Sequence, residues 1–159
     1  MITFKLFSDA CFGGDMIPIR YTCEGKNLSP PLTWGDPPEG TQSFALICDD
    51  PDAPSGDWVH WLLYDLPAQV RGLPQGIEQD PELPDGSRQG RNGSGRLGYT
   101  GPCPPPGRGP HRYFFTLYAL DTRLGLPPAA TKAELLRAME GHVLAQAELM
   151  VRFERKTQK

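Results

Sequence analysis

The chain lacks most local signatures of catalysis and metal binding. It has only three histidines, and none stands in an HxxxH or HxxE pattern. Its four cysteines, Cys11, Cys23, Cys48 and Cys103, include no CxxC pair. Zinc sites need four converging His, Cys or carboxylate ligands, or three and a water. With no local motif to gather such a set, neither a metal nor another cofactor is expected. No GxSxG turn is present, and Cys103 sits beside proline rather than at a helix N-terminus, where a thiol becomes reactive. Positive charge is not in excess either. Lysine and arginine number 16 against 19 acids, a formal net charge of −3, which argues against a nucleic-acid surface. No apolar run approaches the ~20 residues of a membrane span. The segment from Met1 to Asp9 shows no basic stretch followed by an apolar one, so no secretory signal is read there. A cytoplasmic location with reduced thiols is therefore expected. A disulfide such as Cys11–Cys23 is the alternative that secretion would favour.

Turn-forming residues, by contrast, are plentiful. Glycine and proline each occur 18 times, spread without a repeat, which indicates many turns rather than a fibrous or disordered tract. At 159 residues the chain is expected to form one domain, spanning 1–159, with a core large enough to need no staples.

Two proline-rich segments stand out. Asp49-Asp50-Pro51-Asp52-Ala53-Pro54 precedes Trp58-Val59-His60-Trp61, and Gly101-Pro102-Cys103-Pro104-Pro105-Pro106-Gly107 precedes His111-Arg112-Tyr113. Proline fixes φ and pushes the preceding residue toward extended geometry. Each segment is therefore a stiff turn beside a histidine and an apolar run, and the two together suggest two walls of one pocket.

The apolar runs read as strands through most of the chain. Phe4 to Phe7, Ser43 to Cys48, Trp58 to Leu66 and Arg112 to Leu120 all fit, the last being rich in Tyr, Phe and Thr. Many short strands with Gly/Pro turns predict a mainly β protein, a sandwich or barrel. The stretch 74–98 holds five glycines after Gly76 and three prolines, and reads as a long, partly mobile loop. Helix is expected only near the end. Thr131-Lys132-Ala133-Glu134 fits a capping box. Leu135, Met139, Val143, Ala147 and Met150 then recur at helical spacing. Gly141 can divide that stretch, with a second helix beginning near His142.

Several side chains could carry chemistry. Asp49, Asp50 and Asp52 follow a strand. Acids before proline commonly serve turns, but three in four positions exceed what one turn needs. Alternation puts Trp58 and His60 on one face of their strand, and Val59 and Trp61 on the other. If the two strands pair, an acid can reach the His60 ring and hold its tautomer. His111 and Tyr113 share a face by the same period, with Arg112 opposite, and form a donor pair suited to an anion. Structural roles for these histidines are the plain alternative.

The same residues carry a resemblance. Ser29-Pro30-Pro31-Leu32-Thr33-Trp34, the DPDAP segment at 50–54, Trp58-Val59-His60-Trp61, the proline run at 102–106, His111-Arg112-Tyr113, Tyr118-Ala119-Leu120-Asp121 and Gly141-His142-Val143-Leu144-Ala145 appear in that order. The chain resembles the phosphatidylethanolamine-binding proteins, most closely their bacterial and archaeal Raf-kinase-inhibitor-like branch. The resemblance implies an antiparallel, Greek-key-like β-sandwich with short flanking helices and a C-terminal helical segment. It also implies a pocket for phosphate-like groups, formed by Asp50, Asp52, His60, His111 and Tyr113 with Cys103, Pro104 and Pro105 on its rim. A cis peptide at Ala53–Pro54 is implied as well. The chain departs from the branch at Asn92-Gly93-Ser94-Gly95 and at Thr100. The segment by which animal members bind kinases is not reproduced.

The expected function is non-enzymatic binding or regulation through a small anionic or phosphorylated ligand, such as a lipid headgroup. The alternatives are a protein inhibitor of a kinase or protease, and a metal-assisted hydrolase using the His/Asp cluster. A homodimer is compatible with either binding role.

Overall fold

The computed structural model describes residues 4–156. Residues Met1 to Thr3 of the segment read for a signal lie outside the described residues. Eight strands form two antiparallel sheets, as the strand patterning predicts. The small sheet contains β1 (Leu6–Phe7), β2 (Leu32–Trp34) and β5 (Gly72–Leu73) in the order β1-β2-β5. The large sheet contains β3 (Ser43–Asp50), β4 (Trp58–Pro67), β6 (Arg88–Gln89), β7 (His111–Leu120) and β8 (Val143–Phe153) in the order β6-β4-β3-β7-β8. From β6 at one edge, the chain returns to insert β7 beside β3. That is the non-local return of a Greek-key-like path.

The central strands are apolar on both faces because both faces are covered. Phe44, Leu46 and Cys48 of β3 face a core shared with Leu32 and Trp34 of the small sheet. Ala45 and Ile47 face the opposite way, toward Leu135 and Met139 of α1 (Lys132–Met139). Strand β7, nearer the edge, shows clean alternation of buried and more open positions.

The helix begins where the capping box places it. Thr131 Oγ1 accepts from Glu134 N at 3.2 Å, and Glu134 Oε1 accepts from Thr131 N at 2.8 Å. It ends far sooner than the helical spacing predicts. Gly141 takes φ 80°, and the chain becomes β8 rather than a second helix. Ala147, Leu149, Val151 and Phe153 are the buried positions, a period of two. Apolar residues at even positions, Leu144 and Met150, mask that period in the sequence.

The stretch 74–98, read as one long loop, contains paired structure. Strand β6 pairs with β4 (Leu63 with Gln89, Tyr64 with Arg88). The buried Gln89 anchors the surroundings: its Nε2 donates to the carbonyls of Glu78 at 2.6 Å and Asp80 at 2.9 Å, and its Oε1 accepts from Trp61 Nε1 at 2.7 Å. One buried amide thus supplies partners that regular secondary structure does not.

The expectation of reduced thiols is also corrected. Cys23 and Cys103 form a disulfide across a sequence separation of 80. Cys11 and Cys48 are free, so the Cys11–Cys23 pairing does not occur. No helix among the described residues is long and apolar enough to cross a membrane.

Candidate functional site

A cavity of about 520 Å³ opens at the end of the large sheet. One wall is made by side chains of β4 and β7: Trp58, His60, His111 and Tyr113. The other comes from the two proline-rich turns, with Ala53, Pro54 and Ser55 from the first and Thr100, Gly101 and Cys103 to Pro105 from the second. Cys23 stands at the edge. The two proline-rich turns thus border one cavity, but as parts of a single wall rather than as its two walls.

The local backbone explains how His60 enters. Cys48 pairs with Trp61 but Asp49 pairs with Val59, so β4 carries one extra residue, His60, in a β-bulge. A bulge re-aims a side chain. Strict alternation would send His60 and Trp61 to opposite faces. Instead His60 lines the cavity, and Trp61 packs in the same-side core with Tyr113 and Phe115. Val59 lies against the helix-side core, as alternation predicts.

Each histidine is fixed through Nδ1. His60 Nδ1 donates to the Thr100 carbonyl at 2.6 Å, and Thr100 N donates back to the His60 carbonyl at 3.0 Å. No acid holds the His60 ring. The acid serves the other histidine: His111 Nδ1 lies 2.8 Å from Asp50 Oδ2, both residues being buried. A carbonyl can only accept, so the proton of neutral His60 is on Nδ1. The same tautomer satisfies Asp50. Among the described residues, Nε2 of each ring has no protein hydrogen-bond partner. Burial pushes the His60 imidazole below its ordinary pKa, outweighing the Thr100 hydrogen bond and the Asp50 charge.

Tyr113 stands between them. Its ring meets His60 edge-on at 5.1 Å between centroids and lies 6.5 Å from His111. It is 1% exposed, and its hydroxyl has no hydrogen-bond partner among the described residues. Burial, reinforced by the Asp50 charge, pushes its pKa upward, so it remains a donor. Trp58 completes the wall, with its ring 4.6 Å from His60. Gly93 packs so closely on the Trp58 ring that a Cβ there would collide with it. That glycine belongs to the segment where the chain departs from the branch pattern.

The three acids of the first turn divide the work. Asp50 faces the cavity; its Oδ1 also accepts from Asp52 N at 2.7 Å. Asp52 does not line the cavity. It accepts from Arg112 Nε and NH2, each at 2.9 Å, and from Arg112 N at 2.9 Å. The Arg112 hydrogen bonds hold its carboxyl down at about 2. Asp49 points to the helix side, 2.6 Å from Lys132 Nζ, which also reaches Asp57 at 2.5 Å. The turn 51–57 is therefore pinned at both ends. Its peptide bonds are all trans, so the implied cis bond at Ala53–Pro54 is absent. Gly56, at φ 102°, makes the reversal instead and donates to the Ala53 carbonyl at 2.9 Å. Among the described residues, no three His, Cys, Asp or Glu side chains are grouped to hold a metal.

Comparison with known proteins agrees with this architecture. The family model for phosphatidylethanolamine-binding protein matches residues 7–154. A UPF0098 protein of Methanothermobacter thermautotrophicus is 58% identical over 134 residues, covering 84% of this chain and 87% of its own length. A UPF0098 protein of Aquifex aeolicus is 49% identical over 154 residues, covering 95% of this chain and 88% of its own. Among solved structures, YbcL of E. coli, described as a member of the mammalian PEBP family, superposes with a TM-score of 0.91 at 36% identity, covering 98% of this chain and 100% of its own. A carboxypeptidase Y inhibitor bound to its cognate proteinase has a TM-score of 0.59 at 17% identity, covering 96% of this chain and 84% of its own, and shows the fold alone. With nearly the whole chain matched by family, sequence and structure, the protein belongs to the phosphatidylethanolamine-binding protein family.

Proposed function

We propose that this protein is a non-enzymatic binding or regulatory module whose cavity takes a small phosphate-like anion carried on an apolar body. One observation carries the proposal: the buried Tyr113 hydroxyl has no partner among the described residues and stands between two imidazoles whose Nδ1 atoms are already engaged. An unpartnered buried hydroxyl costs ~1–3 kcal/mol, and an anion oxygen would satisfy it. Pro54, Trp58, Pro104 and Pro105 supply the apolar surface for the rest of the ligand. A phosphodiester headgroup, such as that of the lipid for which the family is named, has this chemistry.

The tautomers set a condition. With Nδ1 donating, a neutral ring offers only a lone pair at Nε2, which repels an anion. His60 and His111 can donate to a ligand only when protonated. Binding then takes up protons, so affinity falls as pH rises through the histidine range around ~6.5. Burial of His60 moves its part of that fall to lower pH.

Calorimetric titration with dimethyl phosphate, whose charge is constant over this range, tests the proposal. Affinity should be higher at pH 5.5 than at pH 7.5, and His111→Ala should lower it about ten- to a hundred-fold at the lower pH. Equal affinity for wild type and a folded His111→Ala protein would refute anion binding at this site. A protein partner captured equally by both would point to an inhibitor acting through the outer surface.

A further inference from the structure

The second proline-rich turn is held in an unusual way. Between Gly101 and Gly107 four residues are proline, which have no N–H to donate. Gly101 N donates to Asn27 Oδ1 at 2.6 Å, and Gly107 N donates to the Arg155 carbonyl at 2.9 Å. Arg155 Nε also donates to the Pro104 carbonyl at 2.7 Å, which secures the downstream half. Across the cavity edge, toward residues 22–25, two ties among the described residues serve the stretch 102–106. One is a single hydrogen bond from Cys23 N to the Pro102 carbonyl at 3.1 Å; the other is the Cys23–Cys103 disulfide.

Two facts set this disulfide apart from a buried staple. Both half-cystines are solvent-exposed, so a reductant can reach them. Both also line the cavity, so whatever happens to the bond happens at its mouth. Neither fact follows from the pairing alone, since a crosslink of similar span could join parts of the fold remote from the site.

We propose that Cys23–Cys103 is a redox-operated clamp on the cavity mouth, holding the rim when oxidised and releasing it when reduced. The reductant is a dithiol. Its two thiols supply two electrons and two protons; the Cys23–Cys103 S–S bond breaks, a thiol forms at each cysteine, and the dithiol closes to its own disulfide. The single hydrogen bond from Cys23 N then holds this edge. Pro104 and Pro105 lose their fixed distance from the opposite side, and the site is less preorganised. As a control on ligand affinity, the clamp rests on the anion-binding function proposed above; its effect on the rim does not.

Two measurements on the full chain separate these levels. Reduction should add two titratable thiols. Backbone order parameters measured by NMR should then fall from the ~0.85 of rigid backbone toward ~0.6 or below at Cys23 and Gly101, while those of β3 and β7 keep their values. Affinity for dimethyl phosphate should weaken about three- to ten-fold and return on reoxidation. Cys103→Ser should behave as the reduced protein whether or not a dithiol is present. Unchanged order parameters at Cys23 and Gly101 after confirmed reduction would overturn the clamp, as would an equal fall throughout the fold. Unchanged dimethyl phosphate affinity with a loosened rim would overturn its control of the site. If the oxidised protein binds no dimethyl phosphate, anion binding fails, and the order parameters alone still decide the clamp.

Discussion

Trp58, His60, His111 and Tyr113 stand on β4 and β7, whereas the facing wall is two turns, 51–57 and 100–107. The first wall is fixed in the sheet ladder: Trp58 pairs with Asp50 of β3, and His111 and Tyr113 pair with Phe153 and Val151 of β8. The second has few backbone bonds, because proline removes the donors. It is fixed by side chains instead: Asp52 to Arg112, Asp57 to Lys132, Arg155 to Pro104, and the disulfide. The polar atoms that a ligand is proposed to meet therefore sit on the sheet, and turns held by side chains shape the mouth. This division suits a site that must recognise a small charged group while admitting different apolar bodies.

The crosslink should make the largest difference to the second wall. Replacing both Cys23 and Cys103 by Ser should lower unfolding stability by about 2–4 kcal/mol, since the bond closes a long loop. Denaturant titration reads this directly. A loss near zero would mean that the turn is held by its side-chain bonds alone.

Gly93→Ala should come next, acting on the first wall. A Cβ at Gly93 would run into the Trp58 ring, and displacing a packed aromatic costs about 1–3 kcal/mol. The measurement is unfolding stability together with tryptophan fluorescence. An unaltered spectrum would show that Trp58 is not braced by this backbone.

How far such features were legible in the sequence depends on their range. The strands of the central sheet were visible from their apolar runs, and the capping box at Thr131 placed the helix start. That both proline segments border one cavity followed from their stiffness, and the shared face of His111 and Tyr113 from a period of two; that both turns form the same wall did not. The choice between Asp50 and Asp52 was not visible. It depends on Arg112, whose side chain claims Asp52 and leaves Asp50 to His111. The His60 bulge was hidden because nothing local distinguishes an extra residue from a regular strand position. The pairing of Cys23 with Cys103 and the role of Gln89 are contacts set by the completed fold. Gly141 marks a break in the sequence, but only the burial of odd positions after it identifies a strand.

Asp50→Asn tests the electrostatic link between the walls more gently. The amide oxygen can still accept from His111 Nδ1, so the tautomer persists, but the charge favouring a protonated ring is gone. Affinity for dimethyl phosphate at pH 5.5 should fall about three- to ten-fold. Unchanged affinity would show that Asp50 only orients the ring.

The smallest effect is expected from Arg112→Ala. The pair it breaks is exposed, and such pairs contribute little at neutral pH. Its signature lies in acid. The Asp52 carboxyl is depressed to about 2, so its contribution is present above the unfolded value near ~3.9 and is lost as pH falls toward the folded one. Melting temperature measured from pH 5 to pH 2 should fall less steeply in the variant than in the wild type. Parallel curves would show that the pair adds nothing to folding.

Tyr113→Phe reaches the central claim most directly, because it removes one oxygen from the strand wall and no packing. Calorimetry with dimethyl phosphate at pH 5.5, paired with thermal unfolding of the free proteins, gives both quantities. If the hydroxyl exists to meet an anion, affinity should fall about ten- to a hundred-fold, while the ligand-free protein melts at the same temperature or higher, being relieved of a buried hydroxyl without a partner. A variant that binds as tightly as the wild type, or one that loses stability in the absence of ligand, would contradict the account.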